Sequence, residues 1–169
     1  MEAEKVIEIY DLLNSLDIEI IIDGGWAVDA LMEEQTRKHD DLDIAVNSNN
    51  VPKLRSVLLK HGFTDFPVSD TSDYNFVLAD NNGNKIDVHA YLFDEMGNSI
   101  YGIPYPKDCF YGMGKINGLA VKCIKIEWLV KFHTGYEIDE NDYQDVKHLC
   151  KKFKLELPLE YQKFISIAK

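Results

Sequence analysis

The chain has 169 residues, 46% hydrophobic and 28% charged, with a formal charge of −11. That length suits one domain, or a compact core with a helical appendage, and leaves no room for a large multidomain machine; the composition excludes a disordered or fibrous chain. So acidic a balance argues against gripping extended nucleic acid through a basic face, while it is compatible with divalent cations and a cationic small-molecule partner.

Val6, Ile9, Tyr10, Leu13 and Leu16 recur at helical spacing, which predicts an opening amphipathic helix. Ile18 to Ile22 reads as a short buried strand that ends at Asp23-Gly24-Gly25 and passes into a helix-compatible run, Trp26 to Met32. A second strand follows at Leu42 to Val46, a helix at Val51 to His61, and a third strand at Tyr74 to Ala79. Asn81-Asn82-Gly83 then turns into Lys85 to Tyr91, where Ile86, Val88 and Ala90 alternate with Asp87, His89 and Tyr91.

Residues 94 to 118 hold five of the ten glycines and two of the five prolines, so loops are expected there, with a short hairpin at Ile116-Asn117-Gly118-Leu119 and a possible substrate lip. From Ile126 the pattern is helical: one helix to about Thr134 closed by Gly135, another from Asp139 to Lys151, and a last short one opened by Pro158. The fold class is therefore mixed α/β (α+β), a mixed sheet flanked by helices. Residues 1–120 are expected to form the core and 121–169 a helical segment packed on it.

No apolar run reaches the roughly 18 residues of a membrane helix. The start, MEAEKVIEIY, lacks the basic-then-apolar plan of a secretory leader, so a cytoplasmic protein without membrane contact is expected. Cys109, Cys123 and Cys150 are too widely spaced for a zinc or redox pair.

Asp41 and Asp43 bracket Leu42 on a predicted strand, so both carboxylates point the same way and can hold hard cations. Asp87 lies on the polar face of another strand. If the two strands are neighbours, three carboxylates converge, and the repulsion calls for metal: two Mg2+ ions about 3.5 to 4 Å apart would bind a triphosphate and activate an alcohol for in-line attack. Gly24 and Gly25 offer amides and close backbone approach to phosphate, with Arg37 and Lys38 as nearby positive charge. Taken singly, these features also suit a solvated strand end and an ordinary tight turn.

The ordered set IDGGWAVDAL, DDLDIAV and KIDVHAYLF resembles the nucleotidyltransferase superfamily of the DNA polymerase β type. GGWAVDAL with QTRKHDDLDI, the later DVHAY, and KFHTGYEIDENDYQDVKHL are similar to the lincosamide nucleotidyltransferases and the aminoglycoside 2''-adenylyltransferase group, over roughly residues 5 to 150. That resemblance implies Asp41 and Asp43 as the metal-binding pair, Gly24 and Gly25 as the phosphate turn and Arg37 as the basic residue before the pair. It makes Asp87 the third carboxylate, acting as metal ligand, general base or both. The family usually has Gly where Ala27 stands and often Arg where Asp40 stands, departures that bear on nucleotide contacts and substrate.

The implied reaction is Mg2+-dependent transfer of a nucleoside monophosphate from a nucleoside triphosphate, ATP by expectation, to a hydroxyl of a small antibiotic, by a monomer or homodimer. Other acceptors (a metabolite, a protein, a tRNA end) and a non-catalytic regulator or antitoxin remain alternatives. His89, Tyr91, His133 and Tyr136 are the acceptor-side candidates. His39 and Asp145 divide evenly between site and packing, and the run from Asp139 to Asp142 reads as a helix cap.

Overall fold

The computed structural model describes residues 1–167, so the last two residues of the expected helical segment lie outside the described residues. Its elements are α1 (Ala3–Ser15), β1 (Ile20–Ile22), α2 (Gly24–Met32), β2 (Asp41–Asn47), α3 (Val51–Lys60), β3 (Thr64–Asp65), β4 (Asn75–Ala79), β5 (Lys85–Phe93), β6 (Ser99–Gly102), β7 (Gly112–Ile116), β8 (Leu119–Cys123), α4 (Ile126–Phe132), α5 (Glu140–Phe153) and α6 (Gln162–Ile167). Among the described residues the eight strands form one mixed sheet, ordered β3-β4-β5-β2-β1-β8-β7, with β6 also paired to β5.

The register decides what shares a face. β2 and β5 run parallel, setting Asp43 beside Asp87, Ala45 beside His89 and Asn47 beside Tyr91. The intervening residues Leu42, Ile44, Val46, Ile86, Val88 and Ala90 are fully buried on the other face. This alternation is the period-2 pattern of the two segments made physical: burial of the apolar set pins the register, since a one-residue slip would expose all of it.

Two turns of the same kind bracket β5. Asp80 accepts the amide and side-chain nitrogen of Asn84 at 2.9 and 2.8 Å, and Asp94 accepts those of Asn98 at 2.7 and 2.8 Å. The second turn feeds β6, in a stretch expected to be loop; Tyr91 pairs with both Asn47 and Gly102, so β6 extends the side of β5 opposite β2. A 3-10 helix at Lys107–Tyr111 follows before the β7–β8 hairpin turns at Asn117 and Gly118.

β8 runs through residue 120 and passes into the helices. The Ile124 amide donates to the Ile22 carbonyl, and Lys125 to the Cys109 carbonyl, which ties α4 to the sheet and to the 3-10 helix. Asp139 and Asp142 form a reciprocal capping box that starts α5. Among the described residues, no helix is long and apolar enough to cross a membrane.

Candidate active site

Strand β1 ends at Asp23, whose amide donates to the Asp43 carbonyl at 2.9 Å. The Asp23 carboxylate caps α2 by accepting from the Gly24 amide at 2.8 Å. Gly24 has φ +56, and a β-carbon there would lie 2.2 Å from Asp43 Oδ2. One at Gly25 would lie 2.4 Å from His39 Nδ1 and 2.7 Å from Arg37 Nη2. Two glycines are needed because the helix start is pressed between a carboxylate and a basic pair; with the Gly24 amide taken by Asp23, the Gly25 amide is the one at this turn that can meet an anion.

On the polar face of the sheet, Asp43, Asp87 and His89 each bring one ligand atom to within 4.8 Å of the others. Burial, and then the charges of Asp41, Asp23 and Asp87, hold the Asp43 carboxyl well above its ordinary range. Burial also raises Asp87, and Asp41 adds to this against the lowering effect of His89. Asp87 Oδ1 is buried with no hydrogen-bond partner. A buried acceptor without a donor, set among like charges, is costly unless something positive occupies the space. Oxygen donors and one imidazole at this spacing fit a divalent cation. Asp41 lies on the same face of β2 but outside the group of three, close enough to raise both acids.

Arg37, expected to face phosphate, is held by Asp145 of α5: Nε lies 3.1 Å from Oδ2 and 3.2 Å from Oδ1, and Nη2 lies 2.8 Å from Oδ2. Its Nη1 donates to the Lys38 carbonyl. The guanidinium thus sits at the Gly25 turn with its orientation set by the helical segment; Lys38 next to it is exposed. Behind it, buried His39 places Nε2 2.5 Å from Asp29 Oδ2, and Asp29 Oδ1 takes the Thr36 amide and hydroxyl. His39 and Asp145 both support the glycine turn through packing and pairing.

A cavity of about 480 Å³ opens over this corner. Asp23, Gly24, Asp43 and His89 form its polar side; Ile103, Pro104, Tyr105, Phe132, His133 and Tyr136 form the other. His133 is buried, with Nδ1 2.8 Å from the Leu129 carbonyl, and half-exposed Tyr136 donates to Asp142 at 2.7 Å. Tyr91, expected on the acceptor side, shares the face of His89 but lines a second cavity of about 460 Å³ with Phe93, Phe110 and Lys107. Its ring meets Phe110 at 4.4 Å and Tyr105 at 6.2 Å, and these aromatics stand between it and the first cavity. Burial pushes the Tyr91 phenol up to about 12.

Sequence reasoning passed over Asp23 and Tyr105 as site residues. The Tyr105 hydroxyl donates to Asp23 Oδ2 at 2.7 Å and lies 3.2 Å from His89 Nδ1. Burial, and then Asp23, hold this phenol well above its ordinary value, so it stays a donor. The only local signal was the run of prolines and aromatics around it.

The family model of the aminoglycoside-2''-adenylyltransferases matches residues 5–149. The chain belongs to this family. It is 26% identical over 167 residues to a lincosamide resistance protein of Staphylococcus haemolyticus, covering 86% of this chain and 92% of that one. It is 27% identical over 154 residues to a 2''-aminoglycoside nucleotidyltransferase of Klebsiella pneumoniae, covering 88% and 84%. Among solved structures, the lincosamide antibiotic adenylyltransferase LnuA with bound lincomycin superposes with a TM-score of 0.76 at 23% identity, covering 88% of this chain and 96% of that one. ANT(2'')-Ia in complex with adenylyl-2''-tobramycin gives 0.71 at 18% identity, covering 89% and 88%. These likenesses show the nucleotidyltransferase fold. This aminoglycoside-2''-adenylyltransferase family member is accordingly a nucleotidyltransferase, whose class of reaction calls for a nucleotide co-substrate and a divalent metal.

Proposed function

We propose that the chain is a soluble, cytoplasmic enzyme that transfers a nucleoside monophosphate from ATP, with Mg2+, to a hydroxyl of a small antibiotic and releases pyrophosphate. The observation that carries this reading is the meeting of the Gly24-Gly25 turn with Asp43, Asp87 and His89 on one side of a drug-sized cavity. Asp41, Asp43 and Asp87 would hold the cation, which would supply charge screening for the triphosphate and for the attacking hydroxyl of the acceptor. The Gly25 amide binds phosphate oxygen, Gly24 allows the close backbone approach, and Arg37 supplies fixed positive charge at the same turn. The 1–120 core carries these groups, and the 121–169 segment contributes the Phe132, His133 and Tyr136 wall.

Asp87 takes the proton of the acceptor hydroxyl as its oxygen forms a bond to the α-phosphorus. The bond between that phosphorus and the bridging oxygen breaks, and pyrophosphate carries the electron pair away.

The acceptor wall favours a lincosamide-type molecule over an aminoglycoside. Ile103, Pro104, Phe132 and Tyr136 give an apolar surface, and the carboxylates that line the cavity, Asp23 and Asp43, belong to the turn and the metal site. A molecule with one amine and an apolar flank suits that wall; a polycation needs several free carboxylates.

Pyrophosphate release with ATP, GTP, CTP or UTP, with Mg2+ or EDTA, is the test, run against lincomycin, clindamycin, kanamycin, gentamicin and bulk tRNA with mass spectrometry of the product. Mg2+-dependent mass gain on a lincosamide supports the reading. Gain on kanamycin moves the acceptor to aminoglycosides, gain on tRNA removes the antibiotic reading, and silence on every acceptor overturns the assignment.

A further inference from the structure

We propose that His89 supplies a nitrogen ligand to the divalent cation held by Asp43 and Asp87, with Tyr105 and Asp23 fixing the imidazole so that its Nε2 faces the site. The inference rests on the reading of Asp43 and Asp87 as cation ligands and adds to it a donor of different chemistry.

The tautomer of His89 follows from a count of protons. Tyr105 carries one hydroxyl proton, and it points to Asp23 Oδ2 at 2.7 Å. The phenolic oxygen is then left with lone pairs toward His89 Nδ1, 3.2 Å away, so Nδ1 must bear the hydrogen and donate. A neutral imidazole with hydrogen on Nδ1 has its lone pair on Nε2. Asp23 cannot swing to another partner cheaply, because its second oxygen accepts the Gly24 amide. The chain from the glycine turn through Asp23 and Tyr105 to His89 thus sets the tautomer and the ring plane, as a hydrogen-bonded outer partner does for most metal-bound histidines.

Geometry completes the case. His89 Nε2 and Asp87 Oδ1 are 3.6 Å apart, too far for a hydrogen bond. His89, Asp87 and Asp43 each bring one ligand atom to within 4.8 Å of the others, a spacing that one divalent cation could span. Asp87 Oδ1 has no hydrogen-bond partner to compete for it. The Tyr105 ring, packed against Phe110 at 5.2 Å and Phe132 at 5.7 Å, holds the hydroxyl in place. A nitrogen donor shifts the preference of such a site from Mg2+ toward Mn2+ and Co2+, for which imidazole is a better ligand.

The experiment is electron spin echo envelope modulation on the full chain loaded with Mn2+ alone, with Mn2+ affinity measured by titration. The expected result is nitrogen coupling in the wild-type protein, absent in His89→Gln. Tyr105→Phe should keep the coupling while weakening Mn2+ binding on the order of 10-fold. Mn2+ that binds, is lost in Asp43→Asn and shows no nitrogen coupling would overturn the role of His89 and leave the carboxylate site standing. Coupling unchanged in His89→Gln overturns it too. A wild-type chain that binds no Mn2+ would overturn both readings.

Discussion

The α-carbon of Gly24 is pressed so closely to the Asp43 carboxylate that a β-carbon would lie 2.2 Å from Oδ2. The glycine turn and strand β2 are therefore one unit, also joined by the Asp23 amide on the Asp43 carbonyl. Gly24→Ala meets two penalties, the clash and a left-handed backbone worth about 1 to 2 kcal/mol. Turnover is expected to fall roughly 100-fold, since an error of about 1 Å in a reacting group costs that much. Steady-state kinetics beside a thermal melt checks this; a variant of normal activity and stability would separate the turn from the site.

Asp43→Asn and Asp87→Asn are expected to lower turnover by about 10³-fold or more, the worth of several kcal/mol of transition-state charge stabilisation. Asp41→Asn bears on whether its carboxylate, outside the close group of three, joins the cation when nucleotide binds. All three variants should keep the fold, and without metal Asp43→Asn should melt no lower than wild type, because it removes one of several mutually repelling acids. Near-normal kcat in Asp43→Asn would remove it from the metal site.

How much of this was legible in the sequence follows from how local each signal is. β2 and β5 could be read because their alternation is strict and their apolar halves are fully buried, and Asp43 and Asp87 came with them. β6 is four residues long and leans on β5, so nothing in Ser99–Gly102 alone announces it. Tyr91 was placed on the right face, but alternation says nothing about rings arriving from Tyr105 and Phe110 to divide one cavity from the next. Arg37 reads as a free cation until α5 delivers Asp145 from 108 positions later. Tyr105 meets Asp23 across 82 positions, and such a contact leaves no periodic trace.

The Arg37–Asp145 pair joins the helical segment to the glycine turn. Asp145 is 1% exposed and Arg37 31%, so water screens the arginine in part. Asp145→Asn keeps the shape but removes the charge, and is expected to cost about 1 to 3 kcal/mol, below the cost of breaking a fully buried pair. Urea unfolding measures the loss. Because the guanidinium also sits at Gly25, KM for the nucleotide should rise with it; stability lost with KM unchanged would make the pair purely architectural.

Metal and pH are linked through Asp43, whose folded-state carboxyl titrates well above its unfolded value of 3.8. For an acid raised in this way the neutral form is favoured by folding. Its contribution to stability is complete below the unfolded value and is lost as pH rises through the folded one. Metal-free protein in EDTA should therefore lose stability as pH rises through that window, and Asp43→Asn should flatten the loss. A divalent cation binds the ionised acids, so its stabilisation should grow over the same range. At about 100 times Kd it is worth roughly 2.7 kcal/mol, or about 5 to 10 °C in Tm for a chain of this size. Melts at matched pH with Mg2+ or EDTA measure the gap between the two curves. A gap that widens with pH in the wild type and closes in Asp43→Asn is the expected result; one independent of pH would show that the Asp43 charge is not what the cation neutralises.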